Sequence, residues 1–350
     1  MATTQSDIAR RANVSRSLVA QVLTGSPRTR TTDETRHRIL QAAKELGYRP
    51  NAAARSLRKG RTNMIGVVTP LHPHLFTMPY FVQVIGGVLD ASMQTGQTMA
   101  LFDGNVWAPD DPDRLIFLDG RCDGLIVIAA LEIQGLTQGL QCANIPFVAV
   151  NSGETPADMS SIDIDNFQTG QIATQHLLEL GHRRIAFFYD GQERLFTHQR
   201  LEGYKAALAV GGVPFDERLV FGRRPLCSPF ENAKRAAALL PEVTALFGAT
   251  DRVALEAIQG LREAGVQVPT QISVVGVNGE FDGEVSVPAL TTVSQRLEAL
   301  GVEAARMLFD MIAAPNVAPR KVNWPVELIL RKSTAYLTDG KRAGLREFVD

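Results

Sequence analysis

Residues 4–24 read TQSDIARRANVSRSLVAQVLT, and this stretch decides the architecture of the first sixty residues. Thr4 is suited to cap a short helix, with Asp7 in its first turn near the positive end of the helix dipole. Ile8 and Ala12 lie four apart and share one helical face. Asn13 then tolerates the left-handed conformation that a tight turn needs. Ser15 caps a second helix whose buried side carries Val19, Val22 and Leu23. Further on, Thr32 with Asp33 and Glu34 opens a third helix, and Leu46-Gly47 closes it. Three short helices with a tight turn between the first two make a helix-turn-helix head.

In that plan the second helix enters the DNA major groove with its first residues facing base edges. The outward residues are Arg16, Ser17 and Gln21. Arg pairs in a fork with guanine and Gln with adenine, each good pair discriminating by ~1–3 kcal/mol. Charge agrees with a polyanion partner. The chain as a whole carries −1, but residues 1–61 hold 13 Lys and Arg against 4 acids, a net of +9, so the remainder carries −10. After Pro50, which stops the third helix, residues 51–60 read NAAARSLRKG. Asn51 can cap a short helix with Ala54 and Leu57 on one face between Arg55 and Arg58. A helix that forms only on DNA and wedges an apolar side chain into the minor groove would look like this.

Residues 6–24, Thr35-Arg36 and residues 43–51 (AKELGYRPN) together resemble the DNA-binding head of the lac/galactose repressor family. The resemblance implies that Thr4, Ser15, Thr24, Arg28, Asn51, Ala54 and Arg55 join Arg16, Ser17 and Gln21 on the DNA-contacting surface. It implies that Leu57 is the minor-groove wedge. The chain departs from the family at Gln21, where an Arg is usual, so its operator sequence should differ from those of its relatives.

Beyond Gly60, short β-rich apolar runs alternate with helical patterns. The strand candidates are Met64–Thr69, Thr98–Phe102, Gly124–Ile128, Phe147–Val150, Ile185–Phe188, Ala245–Gly248 and Ile272–Val277. The helical ones are Tyr80–Gln94, Gln168–Leu180, His198–Val210, Glu231–Leu239, Arg252–Ala264 and Gln295–Ile312. Such alternation means parallel doubly wound sheets, and the length suits two of them. The family resemblance continues through residues 64–68 (MIGVV), 79–81 (PYF), 122–126 (CDGLI), 176–186 (HLLELGHRRIA), 200–204 (RLEGY), 272–276 (ISVVG) and 288–293 (PALTTV). It implies an all-α helix-turn-helix head with a hinge helix, followed by an α/β periplasmic-binding-protein-like core of two doubly wound parallel-sheet lobes. The expected limits are 1–49 for the head, 50–61 for the hinge, 62–340 for the core and 341–350 for a tail. Lobe one takes 62–163 and 293–322, lobe two 164–292 and 323–340, with crossovers near Asp163–Asp165, Thr291–Thr292 and Lys321–Trp324. Leu330–Thr334 resembles the family's terminal strand. No leucine heptads follow it, so a homodimer on a near-palindromic operator is the implied state.

Ligands of doubly wound sheets bind beyond the carboxyl ends of the strands. Tyr80, Phe81, Asn151, Arg194, Arg200, Thr250, Asp251, Asn278 and Gln295 sit just after strands or at helix starts, and the family's cleft motifs fall on them. Tyr80 and Phe81 suit the apolar face of a sugar or base, although Phe81 fits a core position equally. Arg194 fits an exposed loop and Asp251 a helix cap as well as a ligand contact. Relatives that bind neutral sugars often carry acids where this chain has Asn151 and Asn278. A cleft that loses acids and keeps Arg200 points to an anionic effector, such as a sugar acid or phosphorylated sugar, ahead of a neutral sugar.

The sequence therefore implies a transcriptional repressor of carbohydrate catabolism controlled by a small-molecule effector, with induction and co-repression both open. A solute-binding protein would need an export signal, and residues 1–20 scatter charge without an apolar block. No apolar run approaches the ~20 residues of a membrane helix, and a cytoplasmic protein without membrane contact is expected. Neither dinucleotide nor P-loop glycine patterns occur. His72 and His74 lack a third metal ligand, and Cys122, Cys142 and Cys227 are widely spaced. His176, His182 and His198 have no nucleophile nearby in sequence. No enzyme activity, metal or cofactor is expected.

Overall fold

A computed structural model describes residues 3–23, 31–49, 60–70, 75–104, 118–129, 136, 139–140, 143–153, 155–192, 194–222, 228–239, 242–314 and 317–337. The expectations for Thr24, Arg28, Asn51, Ala54, Arg55 and Leu57, and hence for the hinge helix, lie outside the described residues, as do those for His72, His74, Cys142, Cys227 and the tail. The chain divides into two compact units, Met1–Thr62 and Asn63–Asp350.

In the first unit, α1 (Gln5–Ala12) is opened by Thr4 through a reciprocal capping box with Asp7. Asn13 closes it in the left-handed conformation, φ 53°, with the Val14 amide returning to the Ala9 carbonyl. α2 (Arg16–Leu23) starts at Ser15, whose hydroxyl accepts from the Leu18 amide at 3.2 Å. α3 (Asp33–Glu45) is capped by Thr32 and ends at Gly47, φ +58°, with the Tyr48 amide on the Ala43 carbonyl. Ile8, Ala12, Val19, Val22, Ile39, Ala42 and Ala43 close a core between the three helices.

The second unit contains, among the described residues, two six-stranded sheets. The first has the order β11-β5-β4-β3-β1-β2, from β1 (Met64–Thr69), β2 (Thr98–Asp103), β3 (Gly124–Ile128), β4 (Phe147–Val150), β5 (Ser161–Ile164) and β11 (Lys321–Trp324). The second has the order β12-β10-β9-β8-β6-β7, from β6 (Ile185–Phe188), β7 (Val220–Phe221), β8 (Ala245–Gly248), β9 (Ser273–Asn278), β10 (Thr291–Ser294) and β12 (Glu327–Ile329). Every pairing is parallel except β10 with β12. Central strands are buried on both faces, which is why they read as unbroken apolar runs. Alternate residues feed opposite cores: Ile126 and Ile128 pack on one side of the first sheet, Leu125 and Val127 on the other. Phe187 and Phe188 divide in the same way about the second sheet.

The helices are α4 (Pro79–Thr95), α5 (Asn166–Glu179), α6 (Leu195–Val210), α7 (Pro229–Ala237), α8 (Asp251–Glu263), α9 (Phe281–Val285) and α10 (Leu297–Ala313). The chain passes between lobes after Ile164, after Ser294 and after Trp324. The first crossing falls where the sequence suggested. The second and third were expected near Thr291–Thr292 and Lys321–Trp324, and these residues are strands that immediately precede the crossings. Thr291–Ser294 pairs with β9, and Lys321–Trp324 pairs with β5 through its last residue. Lobe two therefore keeps residues 291–294, and lobe one extends through 324. Leu330–Thr334 is not a strand: the edge strand β12 ends at Ile329. Ser333 nevertheless anchors the segment, its hydroxyl accepting from the Thr291 amide at 2.8 Å and donating to the Val274 carbonyl at 2.6 Å.

Each lobe is closed by a helix pair in which two glycines meet the partner backbone. Added Cβ atoms at Gly170 and Gly203 would fall on the carbonyl oxygens of Arg200 and Phe167, and those at Gly87 and Gly301 on the carbonyls of Glu298 and Val84. Glycine to alanine on an exposed helix normally stabilises by ~0.5–1 kcal/mol. Gly203→Ala and Gly301→Ala are instead expected to destabilise by about 1–3 kcal/mol, because backbone cannot yield to the new methyl group. Urea unfolding of each variant checks the sign, and a gain in stability would contradict the close approach.

Candidate functional site

A cavity of about 590 Å³ opens between the two lobes of the second unit. This lies within the ~300–1,000 Å³ of ordinary small-molecule sites. Its walls come from the carboxyl ends of both sheets, from the start of α4 (Tyr80, Phe81) and from the start of α6 (Arg194, Phe196, Arg200).

Both walls are set by the same device. β4 ends at Val150, and Asn151 turns the chain with φ 53°. The amides of Ser152 and Gly153 then donate to Asp163 Oδ1 at 2.6 and 3.0 Å. In lobe two, Asn278 ends β9 with φ 126°, and the amides of Gly279 and Glu280 donate to Asp251 Oδ2 at 2.9 and 2.7 Å. Asp251 Oδ1 also accepts from the Thr292 hydroxyl at 2.6 Å. Burial raises the proton affinity of both carboxyls above the ordinary aspartate value, outweighing the hydrogen bonds that lower it. Non-glycine residues at positive φ, each held by neighbouring bonds, are the kind of strain found at binding sites.

Arg200 is 4 % exposed. Its Nε donates to Asn166 Oδ1 at 3.0 Å, its Nη1 donates to the Ala249 carbonyl, and its guanidinium lies 4.8 Å from the centre of the Phe196 ring. Burial lowers its proton affinity, while Asp251, Tyr80 and Glu280 oppose that effect, and the group stays charged at neutral pH. Arg194 donates through Nε and Nη2 to Gln192 Oε1 at 3.0 and 2.6 Å and lies 5.8 Å from the same ring. Tyr80 and Phe81 meet edge to face at 5.1 Å.

Of the residues singled out in the sequence, Tyr80, Phe81, Asn151, Arg194, Arg200, Thr250 and Asn278 line the cavity, while Asp251 and Gln295 do not. Thr250 also supplies the cap of α8, its hydroxyl accepting from the Val253 amide at 3.2 Å. Asp251 is neither cap nor wall: it is fully buried and spends its carboxylate on the β9 loop. Gln295 is fully buried at the second crossover, where its carbonyl accepts from Trp324 Nε1 at 2.9 Å. Asp163, Asn166, Asp190, Phe196, Arg252 and Glu280 line the cavity without having been singled out. Asn166 and Phe196 follow from the neighbourhood of Arg200, and Glu280 from that of Asn278. The expectation of a cleft stripped of acids is corrected by these positions. Asp163, Asp190 and Glu280 line the cavity together with Arg194, Arg200 and Arg252, three acids and three arginines.

On the head, Arg16, Ser17 and Gln21 are exposed on α2 opposite buried Val19 and Val22, with Ser17 and Gln21 four apart on one face. Thr4 and Ser15 are exposed and use their hydroxyls as helix caps. His182 is a structural residue, its ring nitrogens bonded to the hydroxyls of Thr244 and Ser273 at 3.0 Å. No cluster of metal-binding side chains occurs among the described residues.

Residues 4–51 match the family model for bacterial regulatory proteins of the lacI family, and residues 174–334 match a periplasmic binding protein-like domain. The chain is 34 % identical over 332 residues to the HTH-type transcriptional regulator CelR of Thermobifida fusca, covering 93 % of this chain and 96 % of the relative. This chain belongs to the LacI family. It is also 33 % identical over 336 residues to the HTH-type transcriptional repressor PurR of Escherichia fergusonii, covering 94 % and 96 % of the two chains. Among solved structures, a CelR–cellobiose complex matches with TM-score 0.67 at 31 % identity, covering 95 % of this chain and 99 % of that one. A lac repressor dimer bound to operator matches the LacI-family fold with TM-score 0.76 at 23 % identity, covering 96 % and 100 %. The chain is thus a LacI-family transcriptional regulator, and no described helix is long and apolar enough to cross a membrane.

Glu280 should make the stability of this LacI-family chain pH-dependent. Burial, helped by Asp251 and Asp282 and opposed by Asn278 and Arg200, raises its carboxyl from 4.5 to about 7. A carboxyl with a raised folded value stabilises the fold while protonated. That contribution is complete below pH 4.5 and is lost as pH rises through about 7. Glu280→Gln should flatten the decline of stability across this window by up to about 3 kcal/mol. Urea titrations of both proteins at several pH values test this, and parallel pH profiles would count against it.

Proposed function

We propose that this protein is a cytoplasmic, homodimeric repressor whose operator affinity is set by a neutral sugar bound between the lobes. The observation that carries the ligand class is the internal charge balance of the cleft. Asp251 and Glu280 offset part of the buried charge of Arg200, which lessens its need for an anion from the ligand. Each lobe presents a carboxylate to the cavity, Asp163 from one and Glu280 from the other, and carboxylates accept the hydroxyl protons that sugars offer. Tyr80 and Phe196 add aromatic surface for the apolar face of a sugar ring. The relative CelR, whose solved complex contains cellobiose, supports the same class. This reading replaces the anionic effector expected from sequence.

A ligand that touches both lobes favours the lobe arrangement in which both sets of contacts form. It shifts the equilibrium only by its differential affinity for the two arrangements. Two identical heads suit a near-palindromic operator, with Arg16, Ser17 and Gln21 reading the major groove. The binding test is thermal unfolding with cellobiose, glucose and ribose against gluconate, glucuronate and glucose 6-phosphate. A neutral sugar at a hundred times its dissociation constant should stabilise the protein by about 2.7 kcal/mol. A response confined to the acids and phosphate would overturn the neutral class.

For the head, sites selected from a randomised duplex library should be near-palindromic. Arg16→Ala should cost about 1–3 kcal/mol and relax the base preference at one position of each half-site. Affinity for a fixed duplex should fall steeply with salt, since log K drops by ~0.9 per phosphate neutralised for each decade. A flat salt response, measured by fluorescence anisotropy, would oppose the DNA-binding assignment of this surface.

A further inference from the structure

The lobe-two wall of the cavity contains a buried carboxylate with one oxygen left over. Glu280 is 3 % exposed, yet it forms part of the cavity wall. Its amide is held by Asp251, and its Oε1 accepts from Asn278 Nδ2 at 2.8 Å. Among the described residues no donor reaches Oε2. Arg200 shows the complementary condition. Its Nε and Nη1 are used by Asn166 and the Ala249 carbonyl, and Nη2 donates to none of the described residues. The two groups influence one another's protonation but form no direct ion pair. An acceptor and a donor of opposite charge, both in the wall of one cavity and unjoined, suit a hydroxyl whose oxygen accepts from the guanidinium and whose proton goes to the carboxylate.

Resting on the reading of this cavity as the effector site, we propose that Glu280 is its specificity-determining residue, selecting a hydroxyl beside Arg200 and rejecting a carboxylate or phosphate there. Above about pH 7, where Glu280 is ionised, a ligand carboxylate would satisfy Arg200 but would bring a second negative charge, without a proton, against Glu280 Oε2, so the affinities are compared at pH 8. A site built to accept a hydroxyl proton rejects ligands that lack it far more strongly than an apolar wall would. Asn278 is the positioning residue: its backbone at φ 126° sets the amide that holds Oε1, which leaves Oε2 for the ligand.

Glu280→Gln is the informative variant. Its side-chain carbonyl still accepts from Asn278, while its NH₂ group puts donors where the ligand needs an acceptor. Dissociation constants are measured calorimetrically for cellobiose, glucose and ribose and for the aldonic acid of each, in wild type and variant. The expected result is tenfold or greater weakening of the neutral sugar that wild type binds, with a rise in the acid-to-neutral affinity ratio. An unchanged ratio, with neutral affinity retained, overturns the role of Glu280 and leaves the sugar-effector reading standing. No heat from any neutral sugar with wild type overturns that reading itself, and with it this assignment. Should Glu280→Gln fold poorly by circular dichroism, Glu280→Asp serves: it keeps the charge and shortens the reach. It should weaken the neutral sugar while still excluding the acid, and acceptance of the acid by this variant would refute the proposal.

Discussion

The Asp251 carboxylate, fully buried at the start of α8, accepts the amides of Gly279 and Glu280 and the hydroxyl of Thr292. Those bonds hold the end of β9 to the start of α8 and to β10, and so fix the lobe-two wall on three elements at once. A buried carboxylate is tolerated only when such donors surround it, since an unpaired one would cost several kcal/mol. Asp163 does the same work for the loop after β4 in lobe one, through Ser152 and Gly153. Each pin keeps an asparagine at positive φ on the cavity wall. The cleft therefore has a prearranged rim on both sides.

Rigid rims matter because the lobes are joined only by short crossings. β5 runs into α5 through Asp165, β10 into α10 through Gln295 and Arg296, and β11 into β12 through Pro325 and Val326. The end of β11 touches the second crossing, Trp324 Nε1 donating to the Gln295 carbonyl. Stiff lobes on short connections convert a local contact in the cleft into a movement of whole bodies. The glycine-mediated helix pairs contribute to that stiffness by bringing backbone against backbone in each lobe. A ligand-linked change of 1–3 kcal/mol, the usual scale of coupling between sites, is then sufficient to alter DNA affinity 5–150-fold.

Most of this architecture is legible in the residues. Thr4, Asn13, Ser15, Thr32 and Gly47 announce the ends of the three head helices, and the structure has them at those ends with the bonds that caps and turns make. Buried parallel strands such as Gly124–Ile128 are apolar throughout and stand out. The strands beside the crossings do not. β5 (SIDI), β10 (TTVS) and β11 (KVNW) are short and polar, so the crossings that follow β10 and β11 were anticipated a few residues too early. At the cleft, the positions after strands were readable, but which carboxylates face the cavity was not. Asp251 and Glu280 are both acids at strand–helix junctions, and only the path of the β9 loop decides that one is spent on amides and the other lines the cavity.

That distinction bears on what a regulator can bind. A guanidinium as buried as Arg200, with no acid nearby, would leave the empty protein carrying an uncompensated charge at a cost of about 3–5 kcal/mol. Such a protein would depend on its effector for stability, and it could hold both lobe arrangements only while occupied. With Asp251 and Glu280 acting on it, part of the buried charge of Arg200 is offset inside the protein, although burial remains the larger effect. This partial internal offset is the ground on which the proposed effector is neutral and hydroxyl-rich. On the proposed reading, a neutral ligand would add hydrogen bonds to Nη2 of Arg200 and Oε2 of Glu280, whereas an anion would meet the ionised Glu280 carboxylate.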